Sequence, residues 1–202
     1  MENPAAIKIM EISRELKLKN LIDPGRAIKS KKMSFPYRAG IFASNTISFN
    51  PAFSMDLDDD MIRFCLLHEE GHLKRGQYGV PALMLLIGIG IFPVIHCIVA
   101  GIGDGILVVS LGFMLFVLVS SMRILTEPFR WDEYGSDEFA TRILHDTYGI
   151  TKPSLIVGDT LDRLPSGLDV SKLLPRLIYA LIEIHPTAEE RVRHIVGKID
   201  DK

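Results

Sequence analysis

Residues 58–75 read DDDMIRFCLLHEEGHLKR, and this stretch decides how the rest of the chain must be arranged. Three aspartates at its start favour a helix amino terminus, because that end of the helix dipole stabilises negative charge. The apolar residues that follow recur at helical spacing: Met61, Phe64, Cys65 and Leu67. The sequence therefore predicts a helix that begins near residue 58 and runs through residues 68–72, which match the pattern HExxH.

The HExxH pattern predicts one zinc ion per chain. His68 and His72 are four residues apart, so both imidazoles project from the same helix face and can bind one cation. Glu69 lies beside that face and can take a proton from a water molecule that the zinc ion has acidified. Glu70 is two positions from His68, so we expect it to point away from the metal and into solvent.

A catalytic zinc ion needs a third protein ligand and keeps its fourth position for water or substrate. Glu133 and Asp137 are again four residues apart in a predicted helix. Glu133 is the predicted ligand, and Asp137 is predicted to hydrogen-bond a ligand imidazole from behind. Asp132 and Glu138 are the alternative candidates for the ligand.

Two long apolar runs, residues 80–100 and 106–122, lie between these motifs. Each approaches the roughly 20 apolar residues that cross a hydrocarbon core, and five residues join them, so residues 80–125 predict a transmembrane hairpin. Lys74, Arg75, Arg123 and Arg130 flank the hairpin, whereas its turn has no basic residue. The positive-inside rule then places the polar domain and both termini in the cytoplasm.

The rest of the chain predicts helices and a small sheet. Residues 1–20 form an amphipathic pattern with Ile9, Ile12 and Leu16 on one face. After a basic linker at 26–32, residues 37–50 predict a β-hairpin. The remaining predictions are a helix from about 126 to 145, a loop rich in Gly, Pro and Asp after residue 153, and helices at 171–184 and 187–199.

Composition limits the partners and the redox chemistry. The 202-residue chain has a formal net charge of −2, which does not indicate nucleic-acid binding. Its only cysteines are Cys65 and Cys97, so the sequence does not indicate a disulfide framework. Glycines in the apolar runs allow helices to pack closely and therefore leave self-association open.

The motif HExxH is followed by an apolar hairpin and then by ExxxD. This order resembles that of the membrane metallopeptidases that include the HtpX-type heat-shock proteases and the CAAX prenyl proteases. The pair His185-Pro186, followed by Arg191, is similar to the carboxy-terminal His-Pro segment of that family. The resemblance implies a mainly α, α+β fold. It would be a zincin-like metallopeptidase domain with a small β-hairpin or sheet, formed by residues 1–79 and 126–202 around the inserted hairpin 80–125.

The resemblance also implies roles for individual residues. Glu69 would be the general base and Glu133 the third zinc ligand. Asp137 would orient a ligand imidazole from behind, and His185 would stabilise the oxyanion. Arg191 would pair with an acid near the site or contact substrate. The substrates implied are membrane or misfolded proteins, and the edge of the predicted hairpin near residues 42–49 is expected to bind an extended peptide by strand addition.

Two other functions fit the same residues. An intramembrane site-2 protease also uses HExxH and would recruit Asp169, next to Leu168, as its third ligand. That interpretation buries Arg63, Lys74 and Arg75 in hydrocarbon at a cost of several kcal/mol. The second alternative is a catalytically silent, membrane-anchored sensor or scaffold, although a purely structural zinc ion has no need of the base Glu69.

Overall fold

The computed structural model describes residues 3–40, 45–75, 129–164 and 186–200. Four features of the sequence analysis lie outside these ranges and stay predictions: the transmembrane hairpin, the helix 171–184, Leu168-Asp169 and His185. The chain divides into two compact units. One comprises Met1–Gln77, Asp132–Asp169 and Pro186–Lys202, and it contains nearly all of the described residues. The other, Tyr78–Trp131 with Val170–His185, is described only at residues 129–131.

Helix α1 (Pro4–Leu18) confirms the amphipathic pattern at the start of the chain. The side chain of Asn3 caps it by accepting a hydrogen bond from the backbone N of Ala5 at 2.9 Å. Ile9, Ile12 and Leu16 are all buried in the core. This helix packs against α2 (Asp59–Arg75), which is the predicted helix that carries HExxH.

Three short strands form a sheet beside α2: β1 (Ala27–Ser30), β2 (Tyr37–Ala39) and β3 (Thr46–Phe49). Strand β3 is central, antiparallel to β2 and parallel to β1. The β2–β3 pair is the predicted hairpin, which is therefore confirmed. The prediction of a linker at 26–32 was wrong, because residues 27–30 pair with β3. Strand β1 has two partly buried residues followed by two exposed ones, so it lacks the alternation of apolar and polar side chains that predicts a strand.

A short 3₁₀ helix (Pro51–Phe53) and three α-helices complete the described fold. The α-helices are α3 over residues 129–148, α4 (Pro153–Arg163) and α5 (Ala188–Ile195), which continues into a π turn at Val196–Asp200. Helix α4 replaces the first part of the predicted loop, so that prediction was wrong. Pro153 occupies the first turn of α4, where its missing N–H costs nothing, and buried Val157 anchors the helix. Helix α5 packs on α4 and begins with a capping box between Thr187 and Glu190.

A polar cluster ties the end of α3 to α1 and α2. The Tyr148 hydroxyl donates to Glu15 Oε1 at 2.8 Å, and Arg63 Nη2 lies 3.0 Å from Glu15 Oε2. Burial would raise the pKa of Glu15, but Lys19, Arg63 and Tyr148 together lower it to about 2. This cluster fixes one end of the helix that carries Glu133.

The described residues are mainly helical with one three-stranded sheet, which fits the predicted α+β class. Within these described ranges, no helix combines the length and the apolar character that crossing a bilayer requires.

Candidate metal centre and active site

Helix α2 brings its two histidines together through local geometry alone. The Nε2 atoms of His68 and His72 are 3.0 Å apart, and the rings are perpendicular with centroids 4.6 Å apart. Both side chains are largely buried, with exposed fractions of 11% and 15%.

Helix α3 supplies a carboxylate to the same point. Glu133 Oε2 lies 3.5 Å from His68 Nε2, and Glu133 Oε1 lies 3.5 Å from His72 Nε2. The three residues can each offer one ligand atom, all within 4.8 Å of one another. Ligand atoms that share a tetrahedral zinc ion at 2.0–2.1 Å are about 3.4 Å apart, so the donor set fits such an ion.

Gly71 allows α2 and α3 to approach closely enough for Glu133 to reach the two histidines. A Cβ atom on Gly71 would lie only 2.9 Å from Ser136 Cα and 3.1 Å from Ser136 Cβ. Ser136 lies between Glu133 and Asp137, so the close contact sets the depth at which both acids reach the histidines. The fourth residue of HEEGH is thus glycine for a steric reason.

We expect Gly71→Ala to lower the free energy of unfolding by about 1–2 kcal/mol. Overpacking against backbone costs about 1–3 kcal/mol, which exceeds the gain of up to about 1 kcal/mol from replacing a helical glycine. Zinc affinity should fall as well, because α3 has to move away from α2. Urea unfolding and a zinc titration against a competing chelator measure the two effects.

Gly158→Ala is the matched control for this substitution. Gly158 lies within α4, and its added Cβ would meet only Val192 Cγ2, at an ordinary 3.5 Å. That variant should be as stable as the parent or slightly more stable. Equal stability of the two alanine variants would contradict the steric role of Gly71.

Asp137 lies behind His68, where the sequence predicted an orienting acid. Its Oδ1 is 2.9 Å from His68 Nδ1, and the carboxylate is fully buried. Arg191 from α5 donates to the same carboxylate through Nε at 2.7 Å and Nη2 at 2.5 Å. Nη1 of Arg191 also lies 3.4 Å from Glu133 Oε2. Arg191 therefore pairs with two acids of the site, and its predicted contact with substrate stays a prediction.

These contacts set the charges around His68. Burial alone would lower the pKa of His68, but hydrogen bonds with Asp137 and Glu133 raise it to about 10. Burial would raise the pKa of Asp137, yet Arg191 and His68 hold it below its ordinary value. A cation that binds His68 Nε2 must displace a proton from the ring, so metal affinity falls as the pH falls.

The carboxylate of Glu69 lies at the edge of the sheet. Its Oε2 accepts a hydrogen bond from the backbone N–H of Ala39 in β2. Gly40 next to it donates instead to Thr46 of β3, at 2.7 Å. The outer edge of β2 therefore borders the HExxH helix, and one carboxylate oxygen of Glu69 is held there by backbone.

Glu70 does not point into solvent, so that prediction was wrong. It is fully buried and forms a two-pronged ion pair with Arg26, with Nε to Oε2 at 2.7 Å and Nη2 to Oε1 at 2.9 Å. The backbone N of Asp23 donates to it at 3.3 Å. The helix face opposite the metal is covered by the chain that leads into β1, which local periodicity could not show.

The alternative ligand candidates have other partners. Asp132 contacts His72 from behind, with its Oδ2 atom 2.7 Å from Nδ1. The sequence did not predict this contact. Glu138 pairs with Arg142 and Lys198 at 2.8 and 2.9 Å. Further along α3, His145 is half exposed and hydrogen-bonded to Asp146.

Two histidines one turn apart and a carboxylate from a second helix define a single-ion metal centre of the kind that metallohydrolases use. Each histidine has an acid behind it, as ligand imidazoles generally do. Compared with known protein families, residues 10–199 match Peptidase family M48, and the chain belongs to this family of metallopeptidases. Comparisons with curated proteins and with solved structures gave no match. The finer resemblance to the HtpX-type and CAAX proteases stays a prediction.

Proposed function

We propose that this chain is a membrane-anchored, zinc-dependent endopeptidase. The observation that carries the proposal is the convergence of His68, His72 and Glu133 on one point, with the carboxylate of Glu69 on the same helix. Membership of a metal-dependent peptidase family supports it. Two imidazoles and one carboxylate are ligands that suit zinc in a catalytic site with an open fourth position.

When bound, zinc polarises the peptide carbonyl and acidifies a water molecule. Glu69 takes the proton from the attacking water at a carboxylate oxygen as the new C–O bond forms. The same carboxylate returns that proton to the amide nitrogen as the C–N bond breaks. Asp137 and Arg191 hold the ring of His68 in place, so the ligand geometry need not be organised during the reaction. His185 is proposed, from the resemblance to HtpX-type proteases, to stabilise the oxyanion.

We further propose that residues 80–125 anchor the enzyme in the bilayer as a two-span hairpin with the catalytic domain in the cytoplasm. The length of the apolar runs and the distribution of Lys and Arg support this. The proposed substrates are membrane proteins or misfolded proteins. The edge predicted near residues 42–49 is not available along β3 (Thr46–Phe49), because β3 is the central strand and pairs on both sides. We therefore propose that an extended peptide adds to the outer edge of β2, because backbone hydrogen bonds recognise strands without demanding a sequence.

A purified preparation of the full chain tests the enzyme proposal. We expect about one zinc ion per chain, cleavage of casein or of an unfolded membrane protein, loss of cleavage with a chelator and its return when zinc is added. A preparation that binds zinc and cleaves neither substrate would favour the catalytically silent sensor. Cleavage that persists after complete metal removal would exclude the mechanism.

A further inference from the structure

We propose that Asp132 is a positioning residue that holds His72 as a metal ligand, in the way that Asp137 holds His68. The inference rests on the proposed metal site. It assigns the two acids of α3 that contact the Nδ1 atoms, Asp132 and Asp137, to different histidines. It also predicts that Asp132 contributes to metal affinity, whereas the charge of Asp137 is compensated within the protein by Arg191.

The hydrogen bond to Asp132 determines which nitrogen of His72 is available. His72 Nε2 faces His68 Nε2 at 3.0 Å and Glu133 Oε1 at 3.5 Å, so Nε2 is the atom directed at the metal point. Asp132 Oδ2 lies 2.7 Å from the other nitrogen, Nδ1. A carboxylate only accepts hydrogen bonds, so Nδ1 carries the proton and the Nε2 lone pair points at the metal.

Asp132 differs from Asp137 in how its charge is compensated. Asp137 shares its negative charge with Arg191 at 2.5 Å. Asp132 has an exposed side-chain fraction of only 12%, and its Oδ1 atom is buried with no hydrogen-bond partner within the described residues. An incompletely paired, buried carboxylate costs stability. A cation on the far nitrogen of His72 would offset that cost, so Asp132 should contribute to metal affinity rather than to folding.

The neighbouring residue in the chain strengthens the assignment. Glu133, the ligand from α3, directly follows Asp132. One turn of one helix therefore supplies a ligand and also fixes the orientation of a ligand from α2. A shift of α3 would disturb both together.

Zinc affinity of Asp132→Asn and Asp132→Ala in the full chain tests the proposal. The zinc dissociation constant, measured against a competing chelator, should rise about tenfold to a hundredfold for Asp132→Ala. Asp132→Asn keeps an acceptor for the Nδ1 proton but loses the charge, so its loss should be smaller. Urea unfolding of the metal-free proteins should show Asp132→Asn at least as stable as the parent, because the amide still accepts from Nδ1 and the incompletely paired charge is gone. A structural role for the charge of Asp132 would not allow this result.

Asp146→Asn is the matched control. Asp146 is on the same helix and its Oδ1 contacts His145 Nδ1 at 2.9 Å, but both side chains are exposed. This variant should bind zinc as tightly as the parent. The proposal is overturned if Asp132→Ala binds zinc like the parent, or if the metal-free form of Asp132→Asn is clearly less stable than the metal-free parent. A parent that binds zinc without cleaving protein defeats the proposed function alone, whereas a parent that binds no zinc defeats both.

Discussion

Glu69→Gln is expected to lower kcat for protein cleavage by about a hundredfold to ten-thousandfold, because it removes the general base. The amide is nearly the same size as the carboxylate and can still accept the hydrogen bond from Ala39 of β2. Zinc content and the free energy of unfolding should therefore stay close to those of the parent. Steady-state cleavage of a labelled casein, together with metal analysis of the same preparation, measures both quantities.

Glu11→Gln is the control for this substitution, since Glu11 is an exposed acid on α1. It should cleave substrate at the parent rate. If Glu69→Gln also retains the parent rate while zinc is bound, Glu69 is not the base. A loss of zinc from Glu69→Gln would instead point to a structural role for this residue.

Glu70→Ala is expected to have the largest effect on folding, a loss of about 3–5 kcal/mol in the free energy of unfolding. The substitution leaves Arg26, which is itself buried, without its charged partner, and an uncompensated buried charge is costly. Glu69 and Glu70 are adjacent in one motif, but substitution of Glu69 should lower the cleavage rate, whereas substitution of Glu70 should lower stability. Urea unfolding monitored by circular dichroism measures this loss.

The double variant Arg26→Met with Glu70→Leu gives the matched comparison. Replacing both charges by apolar side chains of similar size should recover much of the stability that Glu70→Ala loses. A change below about 1 kcal/mol for Glu70→Ala would mean that the pair is not buried as described, since exposed pairs contribute that little.

What the sequence could predict here depended on local spacing. The face of α1, the helix through HEEGH and the convergence of His68 with His72 all follow from 3.6 residues per turn. Glu133 with Asp137 had the same four-residue spacing, and the structure places both beside the histidines. Helix α4 was missed because Gly and Pro at 149–153 suggested a longer loop than the structure has.

The sequence by itself determined the pair of histidines and the base between them, because residues four apart on one helix meet without help from the rest of the chain. Tertiary structure decided everything that depends on distant partners. Glu70 is buried because Arg26 reaches it from 44 residues away. Asp132 orients His72 and Glu133 faces the metal point because Gly71 lets α3 approach α2 at Ser136. A helical period gives the direction of each side chain relative to its own axis, but only the packing of one helix on another fixes what that side chain meets.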